Sequence, residues 1–135
     1  MVAAAVQASR CVDTVHEPVV SSPAMIRRGL RTVFAQWDLP AEAAENALMV
    51  VEELVANAVD HARTPFRLTV DHVLADHTPT LRIAVRDECP QALNVHPFSA
   101  QAVRGRGLQM IEALTSRWGW DRTLGGKTVW AVLPA

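Results

Sequence analysis

The sequence predicts an α+β protein: a two-layer sandwich with helices on one face of a mixed, mostly antiparallel sheet. Three observations carry that expectation. Two helical stretches come early, at residues 24–37 and 41–62. Segments that alternate with a period of two follow, at 66–70 and 81–86. A third helical stretch then precedes two strand-like segments joined through Gly125-Gly126.

Taken in order, residues 11–15 are a short β candidate, and Pro18 and the Ser21-Ser22-Pro23 step interrupt the chain. Ser22 is expected to cap a first helix, with Pro23 at its first position. Met25, Leu30, Val33 and Phe34 stand at near-helical spacing, and Asp38-Leu39-Pro40 ends the run. The second helix is rich in Ala, Glu, Leu and Met, all good helix formers. Leu48, Val51, Val55, Ala58 and Ala62 form its apolar side, and Pro65 closes it. Phe66-Arg67-Leu68-Thr69-Val70 and Leu81-Arg82-Ile83-Ala84-Val85-Arg86 read as antiparallel strands with one face on a core. Residues 88–104 are irregular, 107–117 read as a third helix, and 118–123 with 128–133 as a final hairpin.

The chain of 135 residues fits one domain, and with half of its residues hydrophobic it can fill a core. Residues 1–9 are expected as a frayed leader, with no basic residue ahead of the alanines to make a signal peptide, and 10–135 as a single domain. A net charge of −1 argues against bulk attraction to nucleic acid or anionic membrane. Lys127 is the only lysine. Two cysteines without a CxxC motif fit a reduced, cytoplasmic setting better than a disulfide scaffold.

The chemistry begins in Val50–Ala62, VVEELVANAVDHA. Glu53 and Asn57 are four apart and so stand one turn above each other, with Asp60 and His61 further along. An amide oxygen suits a hard cation, and a carboxylate can accept a proton from an attacking hydroxyl. On the helix alone a solvated polar face is the more common explanation of such a stripe, because exposed Glu and Asn are frequent. Asp87, just past a strand, is placed either to receive an exocyclic amine or to cap a turn. Gly105-Arg106-Gly107 opens the third helix, either as a plain turn or as a phosphate-binding helix start with Arg104 and Arg106 beside it. Gly125-Gly126-Lys127-Thr128 leads into the last strand, as an ordinary hairpin or as part of the same site.

Together, in this order, the motifs resemble the histidine-kinase-like ATPase superfamily, which has the Bergerat fold, and within it the small anti-sigma factor serine kinases. EELVANAVDHA, GRGLQMIEALTSRWGW and GKTVWAVLP carry the resemblance, which covers residues 22–134. It implies ATP as substrate or ligand and Mg²⁺ as cofactor. It puts the general base on Glu53, with Glu52 one residue out of register, and the magnesium and phosphate ligand on Asn57. Adenine recognition falls on Asp87 and the phosphate-wrapping glycines on Gly105 and Gly107. Leu108 falls beside the base and Thr128 in the adenine hydrogen-bond network. Arg104 or Arg106 would steady the γ-phosphoryl charge, and His61 borders the phosphates or packs at the helix end.

The implied function is an anti-sigma-factor-type regulator that phosphorylates a serine of an anti-anti-sigma (STAS-type) partner. The implied partners are that protein, a sigma factor and a second copy of the chain, with no direct nucleic acid and no membrane. Arg27, Arg28 and Arg31 form a basic side on the first helix, either solvated or facing a partner. One departure stands out: the superfamily pattern DxGxG is here Asp87-Glu88-Cys89-Pro90, which removes a flexible turn beside the base. It motivates the alternative of a non-catalytic module, sensing nucleotide or independent of it, that works by binding a partner. A hydrolytic ATPase without a protein substrate is a third reading. The pairs Asp71-His72 and Asp76-His77 match no standard zinc spacing. Trp118, Trp120 and Trp130 are expected in the core.

Overall fold

The computed structural model describes residues 10–75, 77–89 and 107–135. Its elements are β1 (Arg10–His16), α1 (Ser22–Gln36), α2 (Ala41–Asn57) with a π-helical turn at Ala58–Ala62, β2 (Phe66–Ala75), β3 (Thr78–Asp87), α3 (Gly107–Leu114), β4 (Arg117–Thr123) and β5 (Gly126–Pro134). The five strands lie in the order β1-β2-β3-β5-β4. All four pairings are antiparallel, so the mixed sheet expected from the sequence resolves into an antiparallel one. The leader at 1–9 and most of the irregular segment at 88–104 lie outside the described residues.

Strand register explains the layering. Leu68, Val85 and Val129 stand opposite one another across three strands, as do Val70, Ile83 and Ala131. All six are buried and form one core with Ile26, Leu30 and Phe34 of α1 and with Leu48, Val51, Leu54 and Val55 of α2. The next residues along each strand, such as Arg67, Arg82, Arg86 and Trp130, therefore point to the other face. Trp130 is thus not in the helix-side core as expected. Its indole lies under the guanidinium groups of Arg82 and Arg117 and donates to Asp121 Oδ2 at 3.2 Å. Gly119 opposite has no side chain because a Cβ there would sit 2.8 Å from the Trp130 ring. Trp118 and Trp120 do pack against the core from β4.

Local chemistry shifts several boundaries. Ser22 is not the cap of α1 but lies within it. Its Oγ donates to Glu17 O at 2.6 Å and accepts from Val19 N, tying down the incoming segment. Ile26 takes the buried place expected for Met25, which is 62% exposed. α3 is shorter than expected: Thr115 Oγ1 donates to Ile111 O, and the Ser116 amide goes to Val132 O in β5. Arg117 therefore belongs to the sheet. Leu124 and Gly125 close the final hairpin, with Gly125 at φ 82°.

Candidate functional site

α2 is covered on more of its circumference than an amphipathic surface helix would be. Val50, Leu54 and Asn57 are buried along with the predicted apolar side. The polar stripe is consequently not a solvated face at Glu53 and Asn57, although Asp60 beyond them is exposed. Asn57 is 1% exposed, and its Oδ1 is buried with no hydrogen-bond partner among the described residues. Glu53, one turn earlier, is half-buried with its Oε2 enclosed. Glu52 points the other way and meets Arg27 Nη1 at 3.1 Å. That contact separates the two neighbouring acids: Glu52 bridges α1 and α2, and Glu53 shares the side of Asn57.

Beyond Asn57 the helix loosens into the π turn, closed by Arg63 N on Ala58 O at 3.1 Å. His61 follows Asn57 by four residues, inside this turn. It is half-buried at the turn's end, with Nε2 enclosed. Arg63 leaves the turn in the left-handed conformation at φ 55°. The chain then reaches Thr64, whose Oγ1 accepts the Glu88 amide at 3.0 Å. α2 packs on β3, β5 and α3, and the π turn packs on β3. The end of the helix and the end of β3 therefore share one edge of the sandwich.

Asp87 is 1% exposed. Its Oδ1 accepts the Cys89 amide at 3.1 Å, and its Oδ2 lies 2.5 Å from Lys127 Nζ. Lys127 is itself 2% exposed. The register pairs Asp87 with Lys127 and Arg86 with Thr128. Lys127 thus faces the carboxylate, and Thr128, expected in that network, points to the opposite face of the sheet. Gly126 makes the close approach: a Cβ there would lie 2.0 Å from Asp87 O. The sequence brought the stretch from Gly125 to Thr128 into consideration for the site but gave no role to Lys127 or Gly126, and it gave no sign of Thr64. Strand parity was the available signal for Lys127, because it shares the inward phase of Val129, Ala131 and Leu133.

Gly107 is buried at the start of α3, and Leu108 packs against the core. Arg104, Gly105 and Arg106 lie outside the described residues. On α1, Arg27 and Arg31 are paired with Glu52 and Glu45 of α2, and Arg28 and Arg31 are both exposed. Among the described residues no three His, Cys, Asp or Glu side chains cluster as a metal cage. His72 stacks on Trp37, with ring centroids 5.9 Å apart.

The family of histidine kinase-like ATPase domains matches residues 20–133. The chain belongs to that family. No curated protein matches it. Among solved structures this ATPase-family chain is similar to the RsbU and RsbW domains of Rv1364c from Mycobacterium tuberculosis. That similarity has a TM-score of 0.66 at 20% identity over 93% of this chain. It is also similar to the histidine kinase domain of the Erythrobacter litoralis EL346 blue-light activated histidine kinase, with TM-score 0.45, 22% identity and 71% of this chain covered. The chain spans 32% of the first of these solved chains and 46% of the second. The ATPase-domain assignment makes ATP binding the expected chemistry of the chain. Asn57 Oδ1 fits a hard cation: it is an oxygen donor, enclosed, and not engaged by another described residue. Among the described residues no helix is long and apolar enough to cross a membrane.

Proposed function

We propose that this chain binds ATP with Mg²⁺ and acts as an anti-sigma-factor-type serine kinase toward an anti-anti-sigma partner. The observation that carries the proposal is Asn57, whose buried Oδ1 has no protein partner among the described residues while Glu53 stands one turn away. Burying a polar oxygen without a bond costs free energy, so an enclosed oxygen of this kind calls for a water, an ion or a ligand to complete it. The likeness to a chain that carries an RsbW domain supports the choice of protein substrate.

In this reading Asn57 holds Mg²⁺, which supplies charge neutralisation on the phosphates when bound. Glu53 accepts the proton of a serine hydroxyl on the partner. The serine oxygen forms a bond to the γ-phosphorus, the bond from that phosphorus to the β–γ bridging oxygen breaks, and ADP leaves. Arg104 or Arg106 steadies the charge on the transferring group, Gly105 and Gly107 let the backbone approach the phosphates, and Leu108 lies beside the base. Asp87 is the carboxylate for the adenine amine. His61 borders the phosphates. Arg28, exposed on α1, is the residue of the basic side best placed to meet a sigma factor or the anti-anti-sigma protein. A second copy of the chain completes a dimer in the same reading.

The test is transfer of labelled γ-phosphate from Mg-ATP to a panel of STAS-type proteins. The proposal expects a phosphoserine product that disappears with Glu53→Ala. Unchanged labelling in that variant removes Glu53 as the base. One observation favours a second reading, a partner-binding module without kinase activity: Asp87 is engaged by Lys127 and the Cys89 amide. Retained partner binding with no Mg-ATP binding would select it.

A further inference from the structure

Asp87 and Lys127 form a buried ion pair at the place where the proposed function puts adenine recognition, and the inference here rests on that reading. Both carboxylate oxygens already have donors, Lys127 Nζ on Oδ2 at 2.5 Å and the Cys89 amide on Oδ1 at 3.1 Å. The lysine is not a surface side chain that swung in. Strand register sets it opposite Asp87, and the bare Cα of Gly126 lets the start of β5 press against the backbone of Asp87 and Glu88. It is also the only lysine in the chain.

We propose that Lys127 is a built-in competitor for the base-recognising carboxylate. Its ammonium holds Asp87 in the nucleotide-free protein, and an adenine base gains that carboxylate only by drawing Lys127 off it. The adenine exocyclic amine is a neutral donor, and a neutral donor binds a carboxylate more weakly than an ammonium at the same distance. The base therefore cannot win Asp87 by that hydrogen bond alone. The binding free energy of the phosphates and the rest of the base must also separate the pair. Apparent affinity falls by the fraction of molecules in which Lys127 has let go. Lys127 thereby sets the nucleotide concentration at which the site fills.

Calorimetric titration with Mg-ADP, which cannot be turned over, tests the idea on wild type and Lys127→Thr. The expected result is at least about tenfold tighter binding by the variant, as the competent fraction approaches unity. A second measurement uses wild type alone: ¹⁵N-lysine labelling gives one side-chain ammonium resonance, and saturation with Mg-ADP should shift it. Equal or weaker ADP binding by a folded Lys127→Thr protein overturns the proposal. So does an unmoved Lys127 resonance in ADP-saturated wild type, which decides the matter by itself if the variant does not fold. Absence of ADP binding by both proteins is a different outcome, because it overturns the adenine reading of the site and the competitor role with it.

Discussion

Thr64 Oγ1 accepts the Glu88 amide hydrogen at 3.0 Å, and that bond ties the loop after α2 to the end of β3. The two segments carrying Asn57 and Asp87 are thereby held to one edge of the sandwich. Thr64→Val keeps the shape and deletes the acceptor. Its expected cost is about 1 kcal/mol, a fall in melting temperature of roughly 3–6 °C, with a larger proportional loss in nucleotide affinity than in stability. Thermal denaturation and Mg-ADP titration of the same preparation measure both. Unchanged values would show that the bond positions nothing.

Gly126 and Gly29 should respond in opposite ways to alanine. A Cβ at Gly126 would meet Asp87 O at 2.0 Å, so β5 must move away from β3. Gly126→Ala is expected to cost about 2–3 kcal/mol. At Gly29, inside α1, a Cβ meets nothing within 4 Å. Gly29→Ala should stabilise by about 0.5–1 kcal/mol through helix propensity. Denaturant unfolding of the two variants reads the difference, and equal effects would contradict the packing described for β5.

Glu52 and Glu53 are adjacent in sequence and opposite in role. Glu52→Gln weakens a half-exposed pair with Arg27, for which a stability change within about 0.5 kcal/mol is expected. Phosphoryl transfer should survive it. Glu53→Gln should leave the fold intact and slow transfer to a protein serine by a factor on the order of 10²–10⁴. Initial rates of phosphoserine formation separate them; comparable loss in both would place the base elsewhere.

Acid should weaken the fold through His16 and His72. Burial holds both imidazoles below their ordinary value, and for His72 the nearby Arg10 charge adds to burial. The unfolded chain then binds protons more readily than the folded one. Stability rises with pH through the window that begins below about 6.5 and levels off above it. Melting temperatures between about pH 5 and about pH 7 should show this slope, and it should flatten in a His16→Gln/His72→Gln double variant. Identical slopes would assign the acid sensitivity to other groups.

Much of this architecture is legible in the sequence, for physical reasons. Period-two alternation at Phe66, Leu68 and Val70, and at Leu81, Ile83 and Val85, reports a sheet with one buried face, and those residues are in the core. The helix formers of α2 report a helix to about Ala62, and only its final π turn escapes, since an i+5 bond leaves no compositional mark. What pattern alone does not reveal depends on pairing across the fold. The basic run on α1 reads as a free charged side until α2 is packed beside it with Glu45 and Glu52. Trp130 reads as core because it is large and apolar, yet its strand phase sends it to the face with Arg82 and Arg117. Lys127 has the inward phase of its strand, but a charge argues for solvent until Asp87 is found opposite.

In the proposed function, the edge built from α2, β3 and β5 receives an adenine nucleotide through Asn57. Deleting that amide tests it without wrecking the core. Asn57→Ala removes Oδ1 together with Nδ2 and the bulk of a buried side chain, so a stability cost of about 1–3 kcal/mol is expected. Leu54→Ala, a neighbouring buried truncation, should cost about 2–5 kcal/mol. The decisive measurement is calorimetric titration of wild type and Asn57→Ala with Mg-ATP. Saturable binding by wild type and its loss in a folded Asn57→Ala protein are expected; no binding by wild type, or undiminished binding by the variant, would contradict a nucleotide site at Asn57.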